Sequence, residues 1–294
     1  MIIWFLIVLL LTCCNQINSA ETPGGVLLDT GLGARPIGMG EAFVAASGDI
    51  NALYYNPAAF VDVKTKELSG TYLKGLVDTN FGTLGYALPV SDKFSLGMGL
   101  ATLDGGNIEI NYSDGRSEVR KAQQDYLLIL SYASKTGIKN ISAGISLKAL
   151  QSELVQAAKA RAVGVDLGFR YQYKEKSRLG LSVQNIGTEI TYSGGIATGN
   201  AKDPMPLTLR AGIGGEIMSG EKYKIDGALD LVLPKEEKIE KVKIHSGIEY
   251  LYKSIFALRV GHRSGYSLYS FSFGLGFKIR DYQFDYGLAY MSDL

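Results

Sequence analysis

"AVGVDLGFRYQY", residues 162–173, decides the fold. Val163, Val165, Leu167, Phe169 and Tyr171 alternate with Gly164, Asp166, Gly168, Arg170 and Gln172. Successive side chains of a strand point to opposite faces, so one face here is apolar and the other carries glycine, ions and an amide. The same period of two runs through "NISAGISLKAL" (140–150) and "SFSFGLGFK" (270–278). It is strand periodicity, not the 3.6-residue period of a helix.

Working outward, thirteen such segments follow one another: 66–74, 79–89, 93–103, 125–134, 140–151, 162–173, 178–187, 206–217, 223–233, 242–252, 255–263, 267–279 and 281–290. Most exceed the ~5–6 residues usual in soluble sheets and match the ~9–11 of a tilted strand crossing a bilayer. Some connections are tight, as at 90–93 and 173–177. Others, at 104–124, 152–161, 188–205 and 234–241, read as long and polar, and 104–124 has room for a hairpin of its own. Tight turns at one end and long loops at the other are the habit of outer-membrane barrels. The fold expected is all-β: a transmembrane antiparallel barrel over residues 66–294. A soluble sandwich with its apolar face inward is the alternative, but thirteen long strands would then need a boundary that nothing marks. In the membrane reading the polar face lines the lumen. The ions placed there are Asp166, Arg170, Arg210, Asp226, Asp230, Glu249, Arg259, Arg263 and Asp285.

Composition narrows the function. The formal net charge is +1, so there is no electrostatic case for nucleic acid. Residues 1–20, "MIIWFLIVLLLTCCNQINSA", read as a secretory signal peptide, although no Lys or Arg precedes the apolar run. Both cysteines, Cys13 and Cys14, fall inside it. Cleavage after Ala20 leaves a chain without disulfides or thiolate chemistry. Acylation of either cysteine is the alternative, and it fits poorly behind Thr12.

The glycine-rich stretch "GLGARPIGMGEAF" (31–43) raises a nucleotide-binding reading. It fails, because Pro36 stands where the third glycine of G-x-G-x-x-G belongs and no alternating strand–helix pattern follows. The remaining features are structural. Glu41–Ser47 is helix-permissive, Asp49 is placed to cap a short helix, and Asn56–Pro57 turns the chain. Residues 21–65 are therefore expected to form a helical plug inside the barrel, with Arg35 paired to Asp166, Asp226, Asp230 or Asp285.

The stretch "GARPIGMGEAFVAASGDINALYYNPAAF" resembles the N-terminal signature of the PorV/PorQ family of bacterial outer-membrane proteins, relatives of the FadL-like barrels. The residues that carry the likeness are Gly33, Ala34, Arg35, Gly38, Met39, Gly40, Ala42, Phe43, Val44, Ala45, Asp49, Ala52, Asn56, Pro57 and Ala58. Pro36 and Glu41 depart from it, the latter standing where the family has glycine. The resemblance implies a fourteen-strand barrel whose N-terminal segment lies inside. Against it the count of thirteen and the end at "DYGLAYMSDL" lead to the expectation of a missing final strand.

No catalytic constellation is visible. His245 and His262 lack metal-ligand spacing, no serine sits in G-x-S-x-G, and neither cofactor nor metal is expected. Asp226 and Asp230 read as lumen ions rather than an acid/base pair. Two non-enzymatic functions compete. The resemblance implies a component of type IX-like protein secretion, with secretion proteins and cargo as partners. The alternative is a FadL-like channel for hydrophobic small molecules. Either sits in outer-membrane lipid.

Overall fold

The computed structural model describes residues 25–46, 48–76, 78–194, 201–235, 242–266 and 269–291. The signal peptide assigned to residues 1–20 lies outside them. The first strands are β1 (Glu67–Lys74), β2 (Asn80–Pro89) and β3 (Phe94–Asp104), then a small hairpin of β4 (Asn107–Asn111) and β5 (Ser117–Lys121). β6 (Gln123–Lys135), β7 (Ile141–Leu154), β8 (Ala158–Lys174) and β9 (Ser177–Gly187) follow, with the short β10 (Ile190–Ser193) and β11 (Lys202–Asp203). The chain continues through β12 (Thr208–Ser219), β13 (Tyr223–Pro234), β14 (Lys243–Tyr252), β15 (Phe256–Ser264), β16 (Tyr269–Ile279) and β17 (Tyr282–Met291).

The thirteen long strands pair in chain order, each antiparallel to the next: β1-β2-β3-β6-β7-β8-β9-β12-β13-β14-β15-β16-β17. Register puts like faces together across the sheet. Leu147 lies opposite Val165 on the outer face, and Ser146 opposite Asp166 on the inner one. The outer face is apolar along its length; Phe271, Phe273, Leu275 and Phe277 are each about half exposed. Among the described residues no ladder joins β1 to β17. Three of their outward side chains are the barest large apolar ones of the sheet, Leu68 at 75%, Tyr72 at 72% and Tyr282 at 71%, against 52% for Phe273 within it. An absent neighbour on one side accounts for the difference.

Strands alternate in direction, so connections alternate between two ends. One end has only tight links: 90–93, 136–140, 175–176, 220–222, 253–255 and 280–281. The other carries the β4–β5 hairpin and the β10–β11 excursion. One loop expectation is corrected. Residues 152–161 are not a long loop, because β7 and β8 run on to Leu154 and from Ala158, leaving a turn of 155–157 with Val155 and Gln156 at φ 52°.

The N-terminal segment lies within the curve of the sheet. It holds α1 (Val26–Asp29), α2 (Ala34–Gly38) and two 3-10 helices, Ile50–Tyr54 and Pro57–Asp62. Asp49 caps the first 3-10 helix, accepting from Asn51 N at 2.7 Å. Asn56 caps the second, with Pro57 in its first turn, where a missing N–H costs nothing. The helix-permissive stretch 41–47 is not helical at its described residues. α2 packs on β15, β16 and β17, while the Pro57–Asp62 helix packs on β3, β6, β7 and β8. The sheet therefore wraps round the segment. Leu27 joins Phe81 and Leu103 near the long-loop end, and Val63 joins Ala87 and Ala133 near the tight-turn end. The segment thus threads the interior lengthwise. Among the described residues no helix is long and apolar enough to cross a membrane, which bears on helices alone.

Candidate functional site

The site is the plug and the inner wall that grips it. Grip begins with missing side chains. A Cβ on Gly168 would strike Asn56 and Pro57, and one on Gly144 would strike the Pro57 and Ala58 backbone. One on Gly180 would strike the Val44–Ala45 backbone, one on Gly261 the Met39–Gly40 backbone, and one on Gly274 would press on Gly38. Only glycine lets plug and wall backbones approach so closely.

Hydrogen bonds then fix the register. Asp230, fully buried, accepts from the backbone N–H groups of Phe43 (2.7 Å) and Val44 (2.9 Å). Asn56, also fully buried, donates to Val44 O (2.7 Å) and Phe169 O (3.2 Å) and accepts from Ala58 N (3.0 Å). One amide therefore ties two parts of the plug to β8. Gln184 donates to the carbonyls of Tyr54 (2.9 Å) and Tyr55 (3.0 Å) while accepting from Arg210 Nε (2.9 Å).

Ion pairs complete the lock. Arg35 bridges Asp49 (2.7 Å) and Glu249 (2.7 Å), and Glu249 shares Arg259 (2.5 Å), which also meets Asp285 (2.7 Å). Burial alone would lower the Arg35 pKa; the Glu249 and Asp49 carboxylates more than offset it and hold the guanidinium charged. The partners expected for Arg35 are corrected: they are Asp49 within the plug and Glu249 on β14. Asp285 joins only through Arg259. Arg263 pairs with Glu41, and Arg170 with Asp62. Burial would raise the Asp62 pKa, but the Arg170 hydrogen bond and charge hold it below the ordinary 3.8. Asp226 contributes nothing to this lock; it pairs with Lys224 at 2.6 Å.

Glu41 occupies a left-handed backbone, φ 60°, directly after Gly40 at φ 62°. It is not near a helix start. A glycine would relax that backbone; the carboxylate offsets the strain by neutralising Arg263. Asp166 lies at a bulge where Gln184 and Asn185 of β9 face it as two residues against one. Asn185, at φ 62°, donates its N–H to Asp166 (2.8 Å), and Lys148 Nζ lies 2.7 Å from Asp166 and 2.8 Å from Asn185 Oδ1. Lys148, Gln184 and Asn185 were not among the residues singled out from sequence, and Glu41 stood out only as a departure from the signature. His245 meets the Tyr266 hydroxyl at 2.8 Å, and His262 stacks outside on Phe271 at 4.9 Å. Among the described residues no three His, Cys, Asp or Glu are grouped to hold a metal.

The inner wall is not polar throughout, contrary to expectation. Towards the long-loop end Phe81, Leu103, Leu127, Leu150, Ala160 and Ile190 form one buried apolar cluster with Leu27 of α1. The interior therefore has two chemistries: a polar lock around residues 35–62 and an apolar cluster packed against α1.

An antiparallel sheet with a lipid-type outer face, coiled round an N-terminal plug, defines a FadL-like barrel. Solved structures agree on that fold. The toluene transporter TbuX of Ralstonia pickettii superposes with a TM-score of 0.57 at 13% identity, over 88% of this chain and 92% of that one. The CymD monoaromatic hydrocarbon channel gives 0.56 at 14%, over 88% and 93%. The P. putida toluene transporter TodX gives 0.54 at 13%, over 85% and 89%. Residues 41–232 match the family described as "Family of unknown function (DUF5723)", and the chain belongs to that family. No curated protein matches the sequence.

Proposed function

We propose that this chain is a non-enzymatic barrel of the bacterial outer membrane that takes up hydrophobic small molecules. The observation that carries the reading is the apolar inner wall: Leu103, Leu127 and Leu150 face inward at the long-loop end and pack against Leu27 of α1, where a water-filled pore would have polar groups. The fold shared with hydrocarbon channels supports it. The test is uptake of toluene into proteoliposomes. Saturable uptake that stops when a disulfide ties α1 to β6, and returns on reduction, is expected. Uptake equal to that of protein-free vesicles would overturn the reading.

The secretion reading rests on the signature at 33–58. Those residues build the plug: Arg35 and Asp49 make its ion bridge, Asn56 its cap, and Gly38 and Gly40 its contacts with the wall. A shared signature therefore argues for a shared plug, and secretion would need co-purification with cargo to stand.

In this proposal residues 1–20 are the signal peptide, 21–65 the plug and 66–294 the barrel wall.

A further inference from the structure

The outer face of β6, β7 and β8 changes chemistry row by row towards the long-loop end. Register sets Leu130, Leu147 and Val165 side by side, and in the next row Leu128, Ala149 and Val163. The row after that is Tyr126, Gln151 and Arg161, and beyond it Glu153 faces Lys159. Ala149 is the small side chain of its row, and the wall is hollow over it. Two adjoining hollows, of about 570 Å³ and about 580 Å³, share Leu128, Ala149 and Val163, and the first reaches Arg161. Arg161 and Lys159 are both exposed, and among the described residues neither has an ion pair. Glu189 on the nearby β9–β10 link is already taken by Lys202 at 2.8 Å. These rows thus carry two cations against the one carboxylate of Glu153.

A trough in a lipid-facing wall takes up hydrocarbon, because an unfilled one forfeits dispersion contacts. An arginine facing lipid is costly at the midplane, and the cost fades towards the interface, where long cationic side chains reach the head groups. Arg161 stands two residues beyond Val163 on the same strand face, about 7 Å further along. We propose that the trough is a site for a phosphate-bearing lipid, with an acyl chain over Ala149 and the phosphate on Arg161. The planar guanidinium matches phosphate oxygens in a two-bond fork, and Lys159 adds charge beside it. Long loops mark the outer side of such barrels, so the lipid belongs to the outer leaflet. A second outer-wall hollow, about 450 Å³ between Ile213 and Phe271, has Glu216 but no Lys or Arg in its lining, so it lacks the head-group contact. The inference rests on the outer-membrane part of the proposed function and is independent of uptake.

The test titrates the intact protein in detergent with phosphatidylglycerol, or with diacylglycerol of the same chains and no phosphate, and reads the first lipid retained by native mass spectrometry. Wild type is expected to hold phosphatidylglycerol about fivefold or more tightly, the scale of one basic residue beside an anionic lipid. R161Q should abolish that preference and leave diacylglycerol unchanged. A149L fills the trough and should weaken both lipids. R116Q removes a cation from the β4–β5 hairpin, away from the trough, and should behave as wild type. All three side chains are exposed, so each variant keeps the fold. Equal wild-type affinity for the two lipids, a preference that survives R161Q, an R116Q loss as large as that of R161Q, or an A149L variant that binds both as wild type does would overturn the site and leave the membrane barrel standing. Retention of neither lipid would remove both.

Discussion

Asp230 on β13 holds the plug by its main chain: its carboxylate accepts the N–H of Phe43 at 2.7 Å and, with the same oxygen, that of Val44 at 2.9 Å. Asp230→Ala leaves two buried donors without acceptors, at about 1–3 kcal/mol for each. The expected outcome is faster amide exchange across residues 42–46 with the strands unaffected. Protection equal to wild type would show that the bond contributes nothing to docking.

The glycine contacts predict a sharp contrast between faces. Gly168→Val puts two methyl groups into Asn56 and Pro57 and should loosen or eject the 56–62 segment, by about 1–3 kcal/mol or more of overpacking. Gly70→Val on the outer face of β1, where the nearest atom is 3.7 Å from the new Cβ, should be neutral. Limited proteolysis of the folded protein reads the difference: cleavage within 41–62 in the first variant and none in the second.

Arg35→Leu strands Asp49 without a cation and leaves Glu249 to Arg259 alone. Breaking a buried pair on one side costs about 3–5 kcal/mol. Adding Asp49→Asn should recover part of the loss, since the one uncompensated charge disappears while the acceptor for Asn51 N is kept. Thermal unfolding of the single and double variants measures the recovery. A double variant less stable than Arg35→Leu would contradict the bridge.

Acid should release the tight-turn end of the plug first. Asp62 is held below 3.8 by Arg170, so its contribution is present above that value and is lost as pH falls through the lower, folded one. The protection factor at residues 57–62, which is exchange corrected for its intrinsic pH dependence, is expected to fall in wild type as pH drops below 3.8, and to be low and flat with pH in Asp62→Asn.

Much of this architecture is legible in the chain. Alternation is local, so each long strand shows in its own ten residues, and the inward ions at Asp166, Arg170 and Asp230 follow from parity. Partners are not local. Arg35 and Glu249 are 214 residues apart in sequence, and only the sheet coiled round the plug brings them together. The apolar inner wall did leave a signal in "DYLLILSYAS" (125–134), where Leu127 to Leu130 are apolar on both faces. A strand with lipid outside and polar lumen inside would alternate there. The Asn185 bulge left none, because one residue of slip is invisible in a period-two pattern. Glu41 left a partial one: a position where relatives carry glycine is a candidate for positive φ.

Spin labels across "FSFGLGF", residues 271–277, test the central claim most directly. The account predicts that labels at Phe271, Phe273, Leu275 and Phe277 in liposomes relax with oxygen dissolved in lipid. A label at Ser272, which faces Gly40 of the plug, should be shielded from both oxygen and water-soluble relaxants. Lipid accessibility at Ser272, with the four apolar positions shielded, would turn the sheet inside out and contradict it.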